Sequence, residues 1–333
     1  MTATHTAPDA GTGAAARTGT PFGPRAIAFA GDYAALILLV AVFVTLSIIS
    51  SSFLSFTNVM NILNQNTPLA IIAVAGTFVI VSGAFDLSTA AMYAVVSVVA
   101  ASIATSTGST WLALLAAPFL GLVMGALNGL AVTRLNVHSF LATLASSLVY
   151  KAIAVLVTGG SLITVTNSGF SKLGRGQVGG VFYSVLILLA VFAIAWVLLN
   201  GTVFGRHVFA VGGNPDAAHL SGVRVDRVKV IVFALSGLAV GIAAAIGVSR
   251  LASGQPQAGT GLELQAIAAI ILGGSSIYGG VGAVWRSLVG VFLIALIGNG
   301  FDILNINPQM KDLVTGVIIL AAVALAAADR RRR

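Results

Sequence analysis

The chain contains no cysteine among its 333 residues, which excludes disulfides, thiol catalysis and cysteine-based metal sites. Charge is nearly as scarce, at 8% of residues. Soluble domains carry about 25%. So few charges cannot cover a water-facing surface, which excludes a cytosolic enzyme, a nucleic-acid-binding domain and a disordered protein. There is no G-x-x-x-x-G-K-[ST] segment, hence no phosphate-cradling loop and no ATP hydrolysis by this chain itself. The four histidines show no metal-ligand spacing and no nearby carboxylate pair, so neither a metal nor another cofactor is expected here.

What is present is apolar. Hydrophobic residues make up 58%, and the mean hydropathy is +1.03. This composition predicts an all-α polytopic membrane protein. A span needs about 20 mostly apolar residues. Ten stretches qualify, at 33–50, 67–84, 90–105, 111–132, 139–158, 181–199, 228–249, 264–280, 284–304 and 311–328. Residues 1–30, rich in Ala, Thr, Gly and Pro, read as a disordered cytoplasmic tail, and 31–333 as the membrane domain. With both termini cytoplasmic, twelve basic residues fall inside and four (Lys172, Arg175, Arg250 and Lys311) outside. The net charge of +8 therefore reads as topology rather than as a nucleic-acid footprint.

The longest connections are residues 159–180 on the outer side and 201–227 on the inner side. The second reads as a short strand or turn followed by a helix of about two turns. Asn214 is its N-cap, Pro215 its first residue and Gly222 its end. Asp86, the one acid between Asp32 and Asp216, falls at a span end and reads as a cap for the third helix. Proton coupling would need that carboxylate at membrane depth. Lys151 lies within a span and should face the protein interior, held by a structural partner or lining a water-filled pathway. Asn61, Asn64, Gln65, Asn66, Ser82 and Asn128 are the polar candidates for a neutral-solute pathway. The amide-rich stretch 58–66 is placed beside a span, at the outer mouth. Gly273, Gly274, Gly279 and Gly280 suggest tight packing and a bend. Glu263, Gln255 and Gln257 read as a solvated loop end, with contact to a binding protein or substrate as the other reading.

Asp216 to Gly222 (DAAHLSG) resembles E-A-A-x-x-x-G, the signature of the cytoplasmic loop of ATP-binding-cassette (ABC) importer permeases. Two small alanines would let a partner approach closely. Residues 75–90 (AGTFVIVSGAFDLSTA), 139–160 (SFLATLASSLVYKAIAVLVTGG) and 263–282 (ELQAIAAIILGGSSIYGGVG) resemble, in order, three blocks of the permeases for ribose and related simple sugars. Departures are Gly83-Ala84-Phe85 before Asp86, Lys151 for Arg, Gln265 for Asp, and Arg286 where Gly is usual after Trp285. Arg286 would either crowd a close backbone contact or face the headgroups. The resemblance implies a multi-pass permease in the bacterial plasma membrane. It further implies an extracytoplasmic sugar-binding protein, a second permease chain with the pathway between the two, and a separate ATPase carrying ATP and magnesium. That ATPase would dock on the coupling residues Arg206, Asn214, Asp216, Ala217, Ala218 and Gly222. Permeases for branched-chain amino acids or nucleosides are the near alternative. An ion-coupled secondary transporter is the distant one, and only span-edge acids are evident for it.

Overall fold

Long apolar runs become helices because backbone facing lipid must satisfy its own hydrogen bonds. The computed structural model describes residues 33–307, 309–310, 313–314, 316–317 and 320. The chain divides by its contacts after Ala34, and residues 35–333 form one unit. In order the helices are α1 (Ala34–Ile49), α2 (Phe56–Val81), α3 (Thr89–Thr107), α4 (Thr110–Arg134), α5 (Ser139–Thr158), α6 (Lys172–Arg175), α7 (Tyr183–Gly201), α8 (Val203–Gly213), α9 (Pro215–Leu220), α10 (Val225–Leu251), α11 (Leu262–Leu272) and α12 (Val284–Ile303). Among the described residues seven are long and apolar enough to cross a membrane: α2, α3, α4, α5, α7, α10 and α12. α1 and α11 are shorter apolar helices. These nine answer to the first nine expected spans. The tail over 1–30 lies outside the described residues, as does most of the tenth span.

α2 is the central helix, with 83% of its apolar window buried inside the chain, whereas α5 buries only 22%. α10 and α12 flank α2, and α3 packs against α10, α4 and α5. α10 and α4 are joined along a seam of glycines at four-residue spacing, Gly121, Gly125 and Gly129 on one side and Gly237 and Gly241 on the other. A Cβ at Gly125 would overlap the Phe233 carbonyl oxygen, and one at Gly237 the Gly121 carbonyl oxygen. In lipid, where apolar burial drives helices together weakly, such backbone approach provides the packing.

Two connections differ from expectation. Residues 203–213, read as a strand or turn, form helix α8. Phe204, Val208 and Val211 share one of its faces and pack into an apolar cluster with Phe78, Val228 and Val232. The stretch 58–66 is not beside a helix but within α2, whose N-cap Ser55 accepts from the Asn58 N–H at 3.2 Å. The 159–180 connection is built rather than loose. β1 (Ile163–Thr164) pairs antiparallel with β4 (Ser253–Gly254), and β2 (Gln177–Val178) with β3 (Val181–Phe182). Ser249 Oγ accepts from the Gly174 N–H at 2.9 Å and donates to the Phe170 carbonyl at 2.6 Å.

Two non-helical breaks interrupt the helical packing. The first, Ser82 to Ser88, links α2 to α3. Its backbone donors are met by side chains: the Phe85 N–H by Ser139 Oγ and the Leu87 N–H by Thr143 Oγ1, both at 3.0 Å. The second follows α11, which stops at Leu272 rather than running to 280. Eleven residues span only about 16 Å, half a bilayer. Gly274, at φ +98°, takes the chain out of the helix. The breaks meet where the Gly280 N–H donates to the Val81 carbonyl at 2.8 Å.

Candidate functional site

At the α8–α9 end, Thr202 caps α8 by accepting from the Gly205 N–H at 3.2 Å. The chain then turns at Asn214. The Asn214 side chain accepts from the Ala217 N–H at 3.0 Å, and Pro215 opens α9. Gly222, at φ +86°, follows the helix and leads the chain back into α10. Arg206, Asn214, Asp216, Ala217 and Gly222 are exposed, as is Leu220. The two alanines part company: Ala217 faces outward, while Ala218 is buried against the Val208 and Val228 cluster. Only one of them is available to a partner. α8 itself is seated by Gly212, where a Cβ would overlap the Val81 carbonyl oxygen. Gly279 and Gly280 pack against Gly83 and Gly213, and Gly273 against the Arg286 carbonyl. The close contact at Arg286 is therefore made by its backbone. Its guanidinium lies 5.4 Å from the Trp285 ring centre, so the side chain does not crowd the contact.

The polar candidates in the membrane region separate into three groups. Asn61 and Gln65 are exposed on α2, and Lys151 is exposed on α5 rather than facing the interior. Asn64, Asn66 and Ser82 serve local structure. Asn64 Oδ1 accepts from Ser184 Oγ at 2.6 Å, and its carbonyl accepts from Arg250 Nη1 at 3.0 Å. Asn66 donates to the Ile62 carbonyl, and Ser82 to the Val79 carbonyl, both at 2.8 Å.

Asn128 belongs to a buried network centred on Asp86. Asp86 Oδ1 accepts from the Ser88 N–H at 3.1 Å and from Ser88 Oγ at 2.5 Å, while Oδ2 accepts from Ser236 Oγ at 3.0 Å. Ser88 Oγ accepts in turn from Asn128 Nδ2 at 2.6 Å. Asn128 Oδ1 accepts from the Tyr150 hydroxyl at 3.1 Å. One carboxylate thus ties α3, α4, α5 and α10 together. The expected cap is present in part, because Asp86 binds the Ser88 N–H, but its location differs. Ser236 lies about 16 Å along α10, a helix about 40 Å long, so Asp86, though in the break after α2, sits level with the middle of α10.

Ser236, Ser88 and Tyr150 escaped sequence reasoning. A carboxylate inside an apolar chain requires donors, and that need was the available signal. Glu263 is likewise not a solvated loop end. It lies in the first turn of α11, with Oε2 covered, beside a cavity it shares with Asp86, Thr89 and Ser236.

A family model described as "Branched-chain amino acid transport system / permease component" matches residues 58–323. The ribose import permease protein of Bacillus subtilis (strain 168) is 40% identical over 91% of this chain and 92% of its own length. The corresponding protein of Escherichia coli (strain K12) is 39% identical, over 87% and 90%. The L-arabinose transport system permease protein of the same strain is 34% identical, over 88% and 89%. No solved structure gives a significant match.

Proposed function

Because the chain belongs to the branched-chain amino acid transport system / permease component family, we propose that it is the membrane-spanning permease of an ABC importer for a simple sugar of the ribose or arabinose type. The observation that carries the sugar reading is the near full-length similarity to ribose and L-arabinose permeases, despite the amino-acid wording of the family description. Residues 31–333 act as one permease domain behind an N-terminal tail. An extracytoplasmic binding protein delivers the sugar, and two permease chains enclose the pathway. A separate ATPase with its ATP and magnesium docks on α9 and the exposed Arg206. Exposure of Ala217, Asp216 and Leu220 on a short capped helix supports that docking. The protein resides in the bacterial plasma membrane with both termini cytoplasmic, an orientation supported by the bias of basic residues.

The test is reconstitution in proteoliposomes with its partner ATPase and binding protein. ATP-dependent uptake of D-ribose or L-arabinose is expected. Branched-chain amino acid uptake instead would replace the sugar reading. One observation favours a second class: the buried Asp86, level with the middle of α10, is the kind of residue an ion-coupled carrier uses. Both its oxygens, however, are held by Ser88 and Ser236, as suits an anchor. Uptake by the chain alone, without ATPase, would decide for the carrier.

A further inference from the structure

Among the described residues four buried side-chain oxygens have no hydrogen-bond partner in the chain: Thr89 Oγ1, Ser97 Oγ, Glu263 Oε2 and Ser275 Oγ. Two of the four, Thr89 and Glu263, line the same cavity. It lies between α2, α10 and α11, beside the break after α2. Its polar wall is Asp86, Thr89, Ser236 and Glu263; the rest is Gly76 and aliphatic side chains of α2 and α11. Thr89 is only 4% exposed, so water at the protein surface does not satisfy it. Buried polar atoms left unpaired are rare and costly, so two that line one space call for a shared partner, either a buried water or a ligand hydroxyl that displaces it.

We infer that this cavity is a subsite for a hydroxyl group of the transported sugar. The inference rests on the sugar-importer reading above. The chemistry of the orphan atoms selects the ligand. Glu263 Oε2 offers an acceptor, and the Thr89 hydroxyl both donates and accepts. A sugar hydroxyl answers both, giving its proton to one and taking a proton from the other. A bare cation would bind the oxygens and leave the Thr89 proton without an acceptor. Asp86 lines the same space: Ser88 fills Oδ1 with two donors, while Oδ2, held by Ser236, keeps one acceptor site toward the ligand. The aliphatic side chains present a surface for sugar C–H groups. The volume is about 20 Å³, room for one water or one hydroxyl but not for a ring. A sugar ring would reach this subsite only with α11 displaced. That helix is short and bracketed by Gly261 (φ +85°) and Gly274 (φ +98°), left-handed positions that glycine adopts without strain.

The experiment uses the full complex in proteoliposomes, with radiolabelled D-ribose and L-arabinose as probes. Thr89→Val and Glu263→Met keep side-chain size and remove the polar atoms. Each should lower uptake about tenfold or more, in complexes that still co-elute with the ATPase. Thr89→Ser, which keeps the hydroxyl, should remain within about threefold of the original chain. Uptake within about twofold in both Thr89→Val and Glu263→Met overturns the subsite.

Should either variant fail to assemble, Thr89→Cys decides, because the chain has no native cysteine. A small methanethiosulfonate reagent should label it during ATP turnover, and excess D-ribose should protect it. A thiol that stays unlabelled during turnover overturns the subsite. So does uptake that collapses when choline replaces sodium, since that marks a cation site. Absence of ATP-dependent uptake of either pentose by the unmodified complex overturns the sugar reading itself, and the subsite with it.

Discussion

Arg250 donates from Nη1 to the Asn64 carbonyl at 3.0 Å, and Asn64 is the residue four before Pro68 within α2. Proline has no N–H, so the helix cannot supply that carbonyl with its usual donor. The guanidinium replaces the missing bond from another helix. Arg250→Ala should destabilise the protein by about 1–3 kcal/mol. Restoring the helical donor with Pro68→Ala should recover part of the loss. A double-mutant cycle on thermal unfolding in detergent measures this, and strictly additive effects would contradict the assignment.

The seam between α4 and α10 makes a second prediction. Gly237→Leu places a side chain where Gly121 and Gly125 backbone already sits. Overpacking of this kind costs about 1–3 kcal/mol or more, so monodisperse protein should be largely lost on fluorescence-detected gel filtration. Gly213→Ala meets open space and should elute like the parent chain.

Neighbouring alanines in α9 should behave oppositely. Ala217→Arg adds bulk on the exposed side and should abolish co-purification with the ATPase while thermal stability is kept. Ala218→Arg forces a charge into the cluster around Val208 and Val228 and should lower stability first. Gly222→Trp, strained at φ +86°, should uncouple transport while membrane insertion persists. Normal uptake by both Ala217→Arg and Gly222→Trp would remove the docking assignment.

The Asp86 network supplies a fourth prediction. Asp86→Leu leaves the hydroxyls of Ser88 and Ser236 without their acceptor, at a cost of about 1–3 kcal/mol each. Asp86→Asn retains an acceptor for Ser88 and can donate to Ser236, so most of the stability should remain. Equal melting temperatures for the two variants would mean that the carboxylate anchors nothing.

The sequence carried the helices well because lipid leaves a spanning segment few alternatives. The capped start of α9 was equally legible, since Asn-Pro-Asp encodes its geometry within three residues. α8 was misread because Val, Phe and Gly suggest extended chain. Its helix is held by tertiary contacts of Val208 and Val211, although their i, i+3 spacing was there to be read. The meeting of Thr89, Glu263 and Asp86 could not be read at all. They lie up to 177 positions apart and converge only when α10, α11 and the break between α2 and α3 come together against α2. Lys151 shows the converse: a charge within a span faces outward, and its long stem can carry the ammonium toward the interface.

A side chain at a contact can yield by turning about its own bonds. Where Gly212 rests on the Val81 carbonyl there is no side chain to turn, and the peptide planes on both sides are stiff. The joint between α8 and the end of α2 is therefore made backbone to backbone. A push on α9 that is carried through α8 reaches the Val81 end of the most buried helix through backbone alone.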